Sequence, residues 1–302
     1  MSHEHHLHNP GHDYTTAFAV GVALNVAFVA AEAFFGWLSG SLALLADAGH
    51  NLSDVLGLLL AWGATLLARR RPSMRRTYGL RRSTILAALL NAAFLLVAVG
   101  GIAWEAIRRL KSPEPVAGAT VIAVAAVGIL INGATAWLFA SGRKGDVNIR
   151  GAFLHMAADA AVSLGVVVAG VVMMYSGRLW IDPAVSLGIV AVIAIGTWGL
   201  LRESLDLALD AVPSGIEPAE VQAYLESLPG VVEVHDLHIW GMSTTEAVLT
   251  AHLVLPGLTD DDALLAKACH ELHDRFGIHH ATIQLEHGSE DYPCHLAPGH
   301  VV

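Results

Sequence analysis

The chain has 302 residues, 54% of them hydrophobic and only 15% charged, where soluble chains carry about 25% charged residues, so an ordinary soluble enzyme is excluded. The apolar residues concentrate between positions 15 and 201, while residues 202 to 302 have a water-soluble composition and hold most of the formal net charge of −10. Because the Arg clusters border the apolar runs, they read as membrane-topology signals, and nucleic acid is excluded as a partner.

A His-rich head, residues 1–14, opens the chain with MSHEHHLHNPGH, and His3, His5, His6, His8 and His12 belong to a total of seventeen histidines. Imidazole is a common metal ligand and a proton carrier near neutral pH, so metal or protons enter the reading here. Six apolar runs follow, at about 15–38, 42–68, 83–107, 116–140, 152–175 and 181–201. Each approaches the roughly 20 residues needed to cross a bilayer as a helix, which predicts a transmembrane domain over 15–201. The first run lacks the basic flank and small-residue cleavage site of a signal peptide and is expected to be retained.

Seven Lys and Arg residues fall between runs two and three and three between runs four and five, against none between one and two, three by the end of run three and one between five and six. The even-numbered connections are therefore expected in the cytoplasm, together with both termini. Beyond Arg202 the pattern shortens. Residues 217–228 and 260–276 have helical apolar spacing, and 232–240, 247–255 and 281–285 read as strands, giving the order αββαβ. This predicts a small α+β domain over 202–287 with an antiparallel sheet and helices on one face, followed by a tail, 288–302. The two cysteines, Cys269 and Cys294, are too few for a disulfide framework.

The informative residues are ionisable groups inside the apolar runs. LLADAGHNLSD in the second run places His50 and Asp54 four apart, and GAFLHMAADA in the fifth does the same with His155 and Asp159. Residues i and i+4 share one helix face, so each helix presents an imidazole above a carboxylate. A single ionisable group at mid-bilayer costs about 2.5–3.5 kcal/mol on insertion scales. Two imidazoles and two carboxylates around a divalent cation form a neutral, four-coordinate unit that suits zinc. Emptied, the same cage takes up protons, because metal ligands must be deprotonated to bind. The expected activity is therefore exchange of metal for protons by alternating access, a transporter and not an enzyme. Asp47 precedes His50 by almost a turn and reads as an entrance carboxylate; Glu32, Glu105 and Asp182 read as interfacial groups, and Asn25, Asn91 and Asn132 as interhelical hydrogen-bond glue.

With these motifs, TYGLRRSTILAALLNA (77–92), NIRGAFLHMAADA (148–160), VHDLHIWGM (234–242) and HATIQLEH (280–287), the chain resembles the cation diffusion facilitator family over nearly its whole length. The resemblance implies a homodimeric six-helix metal exporter with a ferredoxin-like, metallochaperone-like cytosolic domain. It implies a transport site of His50, Asp54, His155 and Asp159, and zinc as the substrate; cadmium, cobalt and nickel accept the same donors. It also implies a cytosolic, regulatory metal site of His235, His252, Glu286 and Cys294, to which His238 and His295 are weaker candidates. Strict strand alternation puts His235 and His238 on opposite faces, so that only one would be a ligand.

Arg82 and Asp206 resemble a family ion pair that braces the dimer near the membrane. The His-free connections RRRPSMRRTYGLRRS and SGRKGDVNIR depart from relatives that hold accessory metal there, which leaves the His-rich head as a low-specificity metal sponge. His270 and His273, i and i+3 on a helix, read as a solvated face, and His279 and His280 as surface residues. No organelle signal is evident, so the expected location is a plasma membrane, the inner membrane in a bacterium. Two other classes fit parts of the pattern. A membrane-embedded zinc hydrolase would keep a coordination position open, commonly with three protein ligands, whereas two matched pairs fill all four. A sensor that signals without moving ions is separated only by a transport assay.

Overall fold

The computed structural model describes residues 14–139, 147–257, 261–288 and 293–297; the side chains of some helical residues, Asp54 and residues 14–24 among them, lie outside that description. Six long helices open the chain: α1 (Tyr14–Ser39), α2 (Leu42–Ala68), α3 (Ser83–Lys111), α4 (Gly118–Phe139), α5 (Val147–Ser176) and α6 (Ile181–Ala208). A helix satisfies its own backbone polar groups, which lipid cannot do. In α3, α4, α5 and α6 the described residues alone are long and apolar enough to cross a membrane, and α1 contributes the apolar stretch Asn25–Ser39. Several helices outrun the apolar runs, α3 to Lys111 and α6 to Ala208, because hydropathy marks the length in lipid and not the length of the hydrogen-bonded helix. The last turn of α3 carries Arg108, Arg109 and Lys111, favourable beside the negative end of the helix dipole.

The chain divides into two compact units, one comprising residues up to Leu58 with Ala93–Trp198, the other Leu59–Ala92 with residues from Gly199 onward. In the first, Leu44, Val121, Ala125 and Val166 are fully buried among apolar neighbours. Close approach within it depends on glycine: a Cβ on Gly128 of α4 would lie 2.8 Å from Phe28 Cζ and 2.9 Å from Ser163 Oγ, and one on Gly170 of α5 would lie 2.7 Å from Ile122 Cγ1.

The second unit holds α7 (Pro218–Glu226), β1 (Glu233–Gly241), β2 (Ala247–Val254), α8 (Asp261–Phe276) and β3 (Ile278–Glu286). Pro218 at the first helical position and Glu220 in the first turn favour the start of α7. The element order αββαβ is as the sequence reading has it, but the sheet is not antiparallel throughout. It has the order β1-β2-β3, with β1 antiparallel and β3 parallel to β2. The reason is the connection: α8 carries the chain back to the end of the sheet where β2 began, which a helical crossover permits and a tight hairpin does not. Leu249, Ala251 and Leu253 of β2 pack with Val221 and Leu225 of α7 and Ala268 and Leu272 of α8 in one core. Side chains alternate along a strand, so His252 lies on the sheet face turned away from that core.

Candidate metal centres

In the transmembrane unit α2 carries His50 and α5 carries His155 and Asp159. Asp159 is 2% exposed, and its two carboxylate oxygens divide between the histidines: Oδ1 lies 3.4 Å from His50 Nε2 and Oδ2 lies 3.6 Å from His155 Nε2. The two rings meet edge to face with centroids 6.1 Å apart. Donors from two helices thus converge on one buried carboxylate, and each imidazole nitrogen stands far enough from it for an ion to enter. Asp54 follows His50 by one turn on α2; its side chain lies outside the described residues.

The neighbouring acids are enclosed by the helices. Asp47 and Glu32 are fully buried among the helices, where the sequence reading made Asp47 an entrance carboxylate and Glu32 an interfacial group. Asp47 Oδ2 accepts a hydrogen bond from Ser163 Oγ at 3.1 Å, and Glu32 Oε2 accepts one from Asn51 Nδ2 at 3.2 Å. Asp182 is buried too, at the span end where the sequence reading places it. From α6 it accepts the Ser41 hydroxyl at 2.5 Å and the Leu42 N–H at 2.8 Å, capping the start of α2 with a carboxylate from another helix. Glu105 does sit among charges, paired with Arg108 and Arg109. Asn132 is buried, and its Nδ2 has no hydrogen-bond partner among the described residues.

The second centre lies on the sheet. His235 and His252 are cross-strand partners on β1 and β2, and Glu286 ends β3 opposite Val254. Cys294 arrives from the tail. One donor atom from each of these four residues lies within 4.8 Å of the others. His252 Nδ1 is 2.9 Å from Glu286 Oε1 and 3.5 Å from Cys294 Sγ, and His235 Nε2 is 3.5 Å from Glu286 Oε2. His235 is almost buried, yet neither ring nitrogen makes an aligned hydrogen bond among the described residues. Its contacts are loose ones to carboxylates, Nδ1 3.3 Å from Glu233 Oε1 and Nε2 3.5 Å from Glu286 Oε2, and an ion in the cluster would give Nε2 a closer partner. Two nitrogens, one oxygen and one sulfur fit tetrahedral zinc.

The electrostatics of the two anionic donors differ. Desolvation raises the Glu286 carboxyl, but the Cys294 hydrogen bond, Gln284 and the two imidazoles outweigh it, so its pKa falls below the usual carboxylate value. Although a backbone hydrogen bond from Leu296 favours the thiolate, desolvation and the Glu286 carboxylate push the Cys294 thiol up.

His238 exposes an error in the alternation argument. Between His235 and His238 the register slips, so that these residues oppose His252 and Thr250. One extra residue on β1 makes a bulge, with Asp236 in the left-handed region at φ 52°. His235 and His238 therefore share a face. Asp236, which sequence reasoning missed, lies between two histidines: Oδ1 is 3.0 Å from His238 Nε2 and Oδ2 is 3.6 Å from His252 Nε2. A carboxylate on the outer nitrogen of His252 leaves Nδ1 turned toward Glu286 and Cys294, the arrangement that orients metal-ligating imidazoles. The signal was a His-Asp-x-His run in a strand, HDLH, visible in sequence only to a reader who allowed for a bulge. His295 is exposed. His270 and His273 are exposed and pair with Asp274, and His279 and His280 are exposed as well.

The expected ion pair is also different. Arg82 pairs with Asp210, not Asp206, and Arg81 pairs with Glu246. Asp210 lies just past the end of α6 in a left-handed conformation, φ 62°, which places its carboxylate where a helical extrapolation from Asp206 does not. His3, His5, His6, His8 and His12 lie outside the described residues.

A bundle of apolar helices with two half-buried histidines meeting a buried acid between two of them, joined to an α+β domain with its own cluster of metal donors, defines an integral membrane protein that handles metal cations. The family models agree. The cation efflux transmembrane domain matches residues 18–207 and the cytoplasmic domain of cation efflux proteins matches 213–288. The chain is similar to the zinc transporter ZitB of Escherichia coli, at 38% identity over 99% of this chain and 97% of that protein. It is similar to the metal cation efflux system protein CzcD of Cupriavidus metallidurans, at 35% identity over 94% and 89%, and to a cadmium, cobalt and zinc/H(+)-K(+) antiporter of Bacillus velezensis, at 31% over 97% and 94%. The chain belongs to the cation diffusion facilitator family, and it is a cation efflux transporter with a six-helix transmembrane domain.

Proposed function

We propose that the protein exports a divalent cation, zinc foremost, in exchange for protons, by alternating access at a site formed by His50, Asp54, His155 and Asp159. The observation that carries this reading is the convergence of His50 and His155 on the buried Asp159 carboxylate. Two neutral imidazoles and two carboxylates cancel the charge of a divalent ion. Once the ion leaves, desolvation and mutual repulsion favour protonated ligands, so protons replace it. Opening the site to each side in turn makes that replacement an antiport. The relatives named for zinc, cadmium and cobalt support this substrate class, and nickel accepts the same donors.

The protein works as a homodimer in a bacterial inner membrane, with both termini in the cytoplasm. His235, His252, Glu286 and Cys294 hold a regulatory zinc, whose chemistry is to cross-link the three strands and the tail. The His-rich head collects metal for transport.

The test is purified protein in sealed vesicles with a zinc dye and a pH dye followed together. Zinc and proton fluxes in opposite directions are expected, and both vanish in Asp54→Ala and Asp159→Ala. Full transport by either variant overturns the site, and zinc flux without proton flux overturns the antiport.

A further inference from the structure

We propose that Glu32 and Asp47 form a proton-binding site of their own, a single hydrogen ion shared between the two carboxyls beside the transport ligands. Both residues are fully buried, on α1 and α2. Each carboxyl has one oxygen occupied: Glu32 Oε2 accepts from Asn51 and Asp47 Oδ2 accepts from Ser163. The other two oxygens, Glu32 Oε1 and Asp47 Oδ1, meet no donor among the described residues, although the carboxyls are within hydrogen-bonding reach of each other.

Two ionised carboxylates in contact, away from water, repel strongly and leave two buried acceptors unsatisfied. One proton between them removes a charge and satisfies both oxygens with a single bond. The basic groups Arg108 and Arg109 of the same unit are engaged by Glu105 and Glu114. Among the described residues, the charged and titratable groups acting on the pair from packed elements are Asp159 of α5, which acts on both carboxyls, and His50 of α2, which acts on Asp47; Asn51 and Ser163 are uncharged.

Both hydrogen bonds of the pair come from residues close in sequence to transport ligands. Asn51 follows His50 on α2, and Ser163 lies one turn after Asp159 on α5. For its role this inference rests on the transport reading above: a divalent ion arriving at His50 and Asp159 opposes a proton on the neighbouring pair, so the pair releases its proton to water when metal binds and recovers one when metal leaves.

Infrared difference spectroscopy on the full-length, metal-free protein tests the pair directly. A protonated-carboxyl stretch that shifts in D2O is expected, and it is lost in both Glu32→Gln and Asp47→Asn, where the amide donates to the remaining carboxylate and no proton is held. In weakly buffered solution, zinc binding to Glu32→Gln releases about one proton fewer than in the unsubstituted protein. Retention of the band in both variants, unchanged proton release, or loss of the band on adding potassium or sodium at constant pH overturns the proposal, the last by assigning the pair to a monovalent cation. Asp159→Ala separates the two readings: zinc transport into sealed vesicles that survives in it sinks the transport site, while the band continues to report on Glu32 and Asp47.

Discussion

His50 on α2 and Asp159 on α5 stand 3.4 Å apart, Nε2 to Oδ1, with the carboxylate nearly inaccessible to solvent. The contact joins two helices through groups that hydrocarbon would not hold alone, which supports the ligand set proposed above. Replacing Asp159 with Asn preserves shape and hydrogen bonding but removes the negative charge. Zinc affinity of the transmembrane site should fall at least tenfold, about 1.4 kcal/mol, with the helical content of the protein unchanged; isothermal titration beside circular dichroism reads both.

Cys294 should distinguish the sheet site from the transport site through its proton. Its thiol is pushed up from its ordinary value, so in metal-free protein it is protonated at neutral pH, and zinc must displace that proton to bind sulfur. Occupancy of the sheet site should therefore rise with pH and fall as pH drops. Cys294→Ser should weaken zinc binding there by tenfold or more and release about one proton fewer per zinc, measured by titration in two buffers of different ionisation enthalpy. Equal proton release by the two proteins would remove sulfur from the ligand set. The isolated fragment 205–302 should compact on adding zinc, and His252→Ala should abolish that response in small-angle scattering.

Legibility in sequence followed the range of the interactions involved. The six helices could be read because bilayer thickness fixes their apolar length, and the αββαβ order because strand and helix periods differ. The pairing of His235 with His252 was open to the family resemblance. The parallel pairing of β2 with β3 was not, since it depends on where α8 returns the chain. Nor was the bulge at Asp236, where one added residue reverses the facing of His238, or the choice of Asp210 over Asp206 by Arg82. The burial of Asp47 and Glu32 was not legible for a related reason: hydropathy locates a residue along the membrane normal but not toward or away from the bundle centre.

Asp182 offers a test of stability separate from metal. Its carboxylate takes the Ser41 hydroxyl and the Leu42 and Ala43 N–H groups at the start of α2, donors that the helix cannot satisfy itself. Asp182→Ala strands them in a buried site, at about 1–3 kcal/mol for an unsatisfied group. The thermal midpoint in detergent should drop by several degrees, on the order of 2–4 °C per kcal/mol for a chain of this size. Asp182→Asn, which keeps the acceptor oxygen, should recover most of the loss. An Ala variant as stable as the starting protein would show that water or lipid headgroups reach this helix end.

Gly128 links packing to the acid pair. A methyl group there meets Phe28 Cζ at 2.8 Å and Ser163 Oγ at 2.9 Å, and neither can yield freely: Phe28 is 5% exposed and Ser163 is fully buried with its hydroxyl on Asp47. Overpacking of this kind costs about 1–3 kcal/mol. Gly128→Ala should therefore lower the thermal midpoint and, by displacing the Ser163 hydroxyl, also alter proton release on zinc binding. Gly133 on α4 and Gly165 on α5 have open space at the Cβ position, so Ala at either should change stability by no more than about 0.5 kcal/mol. If Gly128→Ala matches these two controls in both stability and proton release, the helices are looser than the contacts require and Ser163 is not needed to hold Asp47 in place.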